Sequence, residues 1–72
     1  MKVSIKTDVL RRILTLKNMS QNFFAMRINV SSGYMSQLMT GVRNPSPKLR
    51  IKILNTLKLE EKDFEHIFEL QD

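Results

Sequence analysis

Apolar residues recur along this chain at helical spacing, in five separate stretches. In the first, from about Asp8 to Lys17, Leu10, Ile13 and Leu14 share a face behind Thr7, a residue suited to cap the helix. The second begins after Ser20, a strong N-cap type, and turns Phe24, Ala25 and Ile28 inward. Asn29 follows, and asparagine tolerates the left-handed conformation that ends helices. The third begins after Ser31 and stops at Gly41. Between Val42 and Pro47, Pro45 bars helix continuation, Ser46 can cap, and Pro47 takes the favoured first helical position. A fourth helix then carries Leu49, Ile53 and Leu57 on one side, and a fifth, from near Glu60, carries Phe64, Ile67 and Phe68. The connections are short enough only for neighbouring helices to pack together. The expected fold is therefore all-α: one compact five-helix bundle over residues 1–72.

Composition narrows what such a bundle does. With no cysteine and one histidine, His66, the chain offers neither a disulfide nor an evident metal-ligand set, and no metal or cofactor is expected. The longest apolar run, Phe23-Phe24-Ala25-Met26, is far below a membrane span, and residues 1–20 lack a secretory apolar stretch. A cytoplasmic protein without membrane contact is expected. The net charge is +5, but it is unevenly placed. Residues 1–59 hold eleven of the twelve Lys/Arg and one acid, Asp8, whereas residues 60–72 hold six acids and one base, Lys62. A basic body with an acidic tail suits a polyanion on one side and a tail turned away from it.

Residues 20–41 place two short helices around a three- to four-residue turn, the helix-turn-helix layout. Ala25 is small where the helices cross, Asn29 supplies the turn, Val30 anchors it, and Met35 and Leu38 seat the second helix. On a helical wheel, Ser32, Gly33, Ser36, Gln37 and Thr40 fall on the face away from Met35 and Leu38, with Tyr34 at the edge. That outer face carries no charge in a chain rich in lysine and arginine. Short hydrogen-bonding side chains and a glycine permit close approach to base edges. Gln37 can contact adenine bidentately, and Ser32 or Ser36 can bond several bases.

These residues carry a family resemblance. M-S-Q at 19–21, F-A at 24–25, V-S at 30–31, Y-M-S at 34–36, Leu38, Gly41 and R-N-P-S at 43–46 resemble the phage repressor/Cro helix-turn-helix proteins, the XRE family. Lys52, Ile53, Leu57 and Phe64 suit that family's fourth and fifth helices. The resemblance implies a lambda repressor-like domain with residues 32–40 as recognition helix in the major groove of double-stranded DNA. It implies that Gln21 touches a phosphate while bracing Ser32, and that Ser32, Gly33 and Gln37 face bases. It further implies that Tyr34, Thr40, Arg43 and Asn44 contact the sugar-phosphate backbone, which fixes position without carrying sequence directly. Two departures stand out. Leu14 and Met39 are apolar where the family often pairs an arginine with an acid, an exchange that packed hydrophobes can absorb. Asn29 replaces the usual glycine.

The function expected is a transcriptional regulator, a repressor occupying an operator. The alternative is a protein-interaction module, such as an antitoxin component that also binds DNA, supported by the acidic, apolar-striped tail. An enzyme is not expected, since no nucleophile, base and oxyanion donors converge. His66 reads as a surface residue, and Glu65 and Glu69 as a solvated face. For the C-terminal helix two readings stand open. Phe64 closes the core while some of Ile67, Phe68 and Leu70 form a homodimer contact, or all of them complete a monomer core.

Overall fold

In the computed structural model, which describes residues 1–72, most of the helix boundaries are set by a repeated local device. Helix α1 (Thr7–Leu16), α2 (Gln21–Arg27) and α4 (Pro47–Thr56) each end on a residue with positive φ: Asn18 (57°), Asn29 (63°) and Lys58 (58°). At each, two backbone bonds close the end. For α1, Asn18 N–H donates to the Thr15 carbonyl and Met19 N–H to that of Leu14; for α2, Asn29 donates to Met26 and Val30 to Ala25; for α4, Lys58 donates to Asn55 and Leu59 to Leu54. This is the Schellman arrangement, in which an apolar residue just past the end packs back on the helix. Met19, Val30 and Leu59 do so, each partly buried against the core.

The next residue after two of these apolar plugs is a serine that starts the following helix. Ser20 Oγ accepts from Phe23 N–H at 3.0 Å, and Ser31 Oγ accepts from Tyr34 N–H at 3.0 Å, opening α3 (Ser32–Thr40). Ser46 repeats the cap for α4, accepting from Leu49 N–H at 3.2 Å with Pro47 in the first turn. Each such cap contributes about 1 kcal/mol. Thr7 is not a cap: it is the first residue of α1, and Lys6 occupies the capping position without a side-chain bond.

The five helices expected from periodicity are present, and fourteen buried apolar residues form one core, with no buried charged or polar residue among them. Leu10 and Leu14 enter it from α1, Phe24 and Ala25 from α2, Met35, Leu38 and Met39 from α3, and Leu49, Ile53 and Leu54 from α4. Leu14 and Met39 are thus both buried in the same core.

The chain ends depart from an all-helical reading. Residues Lys2–Ile5 form strand β1 and Phe68–Gln71 form strand β2, paired antiparallel with Lys2 opposite Gln71, Val3 opposite Leu70, Ser4 opposite Glu69 and Ile5 opposite Phe68. The fifth helix is correspondingly brief: a 3₁₀ turn at Glu61–Asp63, then α5 at Phe64–Ile67. Asp63 Oδ2 accepts from Glu60 N–H at 2.9 Å at its start. Lys6 ties the two ends together, its N–H donating to the Ile67 carbonyl and its Nζ to the Glu65 carbonyl, both at 2.8 Å.

That arrangement bears on both C-terminal alternatives. Ile67 and Phe68 are fully buried in the monomer core, so of the three residues considered for a dimer contact Leu70 alone stays exposed. Phe64, expected to close the core, is half-buried, its ring 4.7 Å from that of Phe68, and Leu70 stands 42% exposed on β2. Phe23, whose place beside Phe24 suggests packing against the first or last helix, is instead exposed on the surface beneath the Arg27 guanidinium.

Candidate nucleic-acid interface

Helix α3 is anchored from below and open above. Met35, Leu38 and Met39 are buried, while Ser32, Gly33, Ser36, Gln37 and Thr40 are all exposed on the opposite side. The wheel drawn from sequence placed these residues on that outer face, and the structure gathers them there. Tyr34 lies half-buried at the margin, packed against the core. At the far end Gly41 adopts φ 80°, a conformation natural to glycine, and releases the chain into the loop 42–46. Buried Pro45 pins that loop to the body, leaving Arg43 and Asn44 exposed beside α3.

Gly33 needs no internal explanation of the Gly41 kind. It lies within α3, and a Cβ built there would meet nothing within 4 Å. Neither backbone nor packing calls for glycine at this first-turn position. Gln21, at the first position of α2, is exposed and makes no hydrogen bond to Ser32; the bracing contact implied by the family resemblance is absent.

One pair of predicted residues is closer than its spacing in the chain suggests. Arg43 Nε–H donates to Gln37 Oε1 at 2.8 Å, and the Arg43 guanidinium stacks 4.6 Å from the centroid of the Tyr34 ring. Thr40 makes a local bond only, from its hydroxyl to the Gln37 carbonyl at 3.3 Å.

Three basic residues to which the sequence assigned no DNA contact border α3. Lys48 and Lys52 line a shallow cavity with Ser31 and Tyr34 at the start of α3, and Lys2 of β1 lines another with Thr40 and Asn44 at its end. Lys48 and Lys52 are one helical turn apart at the start of α4, a signal visible in sequence, but only the packing of α4 beside α3 gives it meaning. Lys2 could not have been found, because its position depends on the pairing of the chain ends. Away from this face, His66 is exposed and stands 3.6 Å from Asp63, a surface residue as expected. No group of His, Cys, Asp and Glu side chains is placed to hold a metal ion. No helix is long and apolar enough to cross a membrane.

Comparison with known proteins agrees with this geometry. The helix-turn-helix family model of the XRE type matches residues 10–64, spanning α1 to the start of α5. No curated protein matches the sequence. Among solved structures, the chain is similar to a mutant of the restriction-modification controller protein C.Esp1396I, at 23% sequence identity and a TM-score of 0.69, over 83% of this chain and 78% of that one. At that identity the likeness speaks to the fold.

Proposed function

This chain belongs to the XRE-type helix-turn-helix family of DNA-binding transcription regulators, and from that premise we propose that it is a repressor that occupies an operator by seating α3 in the major groove. The observation that carries this reading is the outer face of α3. It is exposed, uncharged and hydrogen-bonding, and it is flanked by Arg43, Lys48, Lys52 and Lys2. Base edges ask for such a face and phosphates for such flanks. Ser32, Gly33, Ser36 and Gln37 face bases in this reading, while Gln21, Tyr34, Thr40, Arg43 and Asn44 border the sugar-phosphate backbone. A glycine without an internal reason at position 33 fits a helix whose first turn must come close to another surface. The protein acts by occupancy in the cytoplasm and performs no chemistry of its own.

A two-fold assembly also fits the surface, by a route other than a C-terminal helix. Ile51, 60% exposed, lies in an open groove between α4 and the 3₁₀ turn with Leu54, Leu59 and Phe64. Arg50, Glu60 and Glu61 line the same groove, so the patch carries both signs of charge that a second copy could pair. Operator binding by such a pair requires its recognition helices to stand about 34 Å apart, on successive turns of one DNA face.

Selection from a random duplex pool tests the reading. The expected result is a consensus with two related half-sites, bound less tightly as salt rises. If no sequence is enriched and no duplex is bound at low salt, the DNA-binding reading falls to that of an interaction module.

A further inference from the structure

Arg43 follows the recognition helix in the chain, yet three contacts tie it to that helix. Its Nε–H donates to Gln37 Oε1 at 2.8 Å, its main-chain N–H donates to the Gln37 carbonyl at 3.2 Å, and its guanidinium lies 4.6 Å from the Tyr34 ring centroid. Tyr34 is itself packed against the core, so the ring is a fixed platform. No acid takes part: Arg43 makes no salt bridge.

The remaining hydrogen-bonding capacity is mostly donor. A guanidinium has five N–H donors, and the bond to Gln37 uses one. The Gln37 amide still has two donors on Nε2 and one free lone pair on Oε1, so the pair together offers many more donors than acceptors. A base edge facing the guanidinium must supply acceptors. In the major groove guanine offers two, O6 and N7, whereas adenine offers an acceptor and a donor. Planar, bidentate recognition also depends on holding the guanidinium plane, which stacking on Tyr34 and the bond to Gln37 both do. A phosphate can accept the same fork, but its contact carries no dependence on base identity.

We propose that Arg43, held by Gln37 and Tyr34, reads a guanine in the major groove, and that Gln37 is a positioning residue for it. The proposal rests on α3 being the recognition helix and reassigns two residues of that interface. Arg43 passes from the phosphate contacts to the base contacts, and Gln37 from an independent adenine reader to a support.

The test uses the consensus duplex selected by the wild-type chain, with each guanine replaced in turn by 7-deazaguanine, which lacks the N7 acceptor. At one guanine the replacement should weaken wild-type binding about 5- to 150-fold. That penalty should vanish in Arg43→Ala and shrink in Gln37→Ala. It should return in Gln37→Glu, whose carboxylate still accepts from Nε–H. Arg43→Lys, a point charge without the fork, should retain affinity for random duplex but lose the guanine penalty. All four substitutions are at exposed side chains, and circular dichroism verifies that they fold. If Arg43→Ala keeps every 7-deazaguanine penalty, weakens all duplexes alike and lowers the salt slope by about one unit, Arg43 is a phosphate contact; the inference is then overturned while the DNA-binding reading survives. An adenine preference lost in both Gln37 variants, with the guanine penalty intact, shows Gln37 reading alone and likewise overturns the pairing. If the wild type enriches no sequence, the interface and the guanine reading fall together.

Discussion

The helix-turn-helix and the closure of the chain ends are built on opposite principles. In the first, every boundary is fixed by residues a few positions apart: Ser20 capping Phe23, Val30 bonded to Ala25, Ser31 capping Tyr34, Gly41 ending the helix that Ser31 began. In the second, Lys2 finds Gln71 and Lys6 finds Glu65, partners separated by nearly the whole chain. The two regions meet in one core, with Met35 and Leu38 on one side and Ile67 and Phe68 on the other. The boundaries of the local region are encoded within a few residues of each other, whereas those of the terminal region depend on partners at the opposite end of the chain.

Substitutions can press on this contrast from either side. The largest effect is expected beneath the recognition helix. Leu14→Arg places an unpaired charge in the core and should destabilise by about 3–5 kcal/mol, measured by urea unfolding. Adding Met39→Glu should recover much of that loss if the two side chains touch. A double-mutant cycle without coupling between 14 and 39 would dismiss the pairing and leave α3 seated by its other contacts. At the terminal side, Phe68→Ala removes a fully buried ring and should cost about 3 kcal/mol, with hydrogen exchange in β1 accelerating more than in α2 and α3. Equal acceleration in all three would show that closure and helix-turn-helix are a single cooperative unit and would erase the distinction. The smallest effect tests the local rule by itself. Lys58 holds a left-handed conformation without the excuse of being glycine or asparagine, so Lys58→Gly should stabilise the chain by about 0.5–1 kcal/mol in thermal unfolding. A loss of stability there would mean that the Lys58 side chain has a role not visible in its contacts.

The same division explains what could be read from sequence. Ser20, Ser31, Ser46, Asn29 and Gly41 each announce a boundary by their own chemistry, and the outer face of α3 follows from spacing once those boundaries are set. Asn18 and Lys58 do the same work as Asn29 but were not singled out. Asn18 carried the signal, since asparagine after an apolar stripe is a recurrent end, whereas Lys58 did not. The terminal strands escaped because Phe64, Ile67 and Phe68 satisfy a helical stripe as well as they satisfy one short turn followed by a strand. Only the partner at Val3–Ile5 separates the two, and four-residue pairings have no periodicity to speak of. At the interface, the residues on α3 were legible for the same local reason. The bond between Arg43 and Gln37 was not, because it depends on how Gly41 and Pro45 fold the loop back along the helix.

The antiparallel pairing of β1 with β2 also sets how the molecule answers to tension. Lys2 and Gln71, at the two extremities, form the outermost pair, and Ile5 and Phe68 the innermost. Pulling the ends apart therefore loads the pairs one after another, as a zipper is opened, instead of shearing the ladder all at once. Peeling would run from Lys2–Gln71 inward at low force and reach the buried Phe68 only at its last step, so the helical body would keep its shape until the clasp at the chain ends was fully undone.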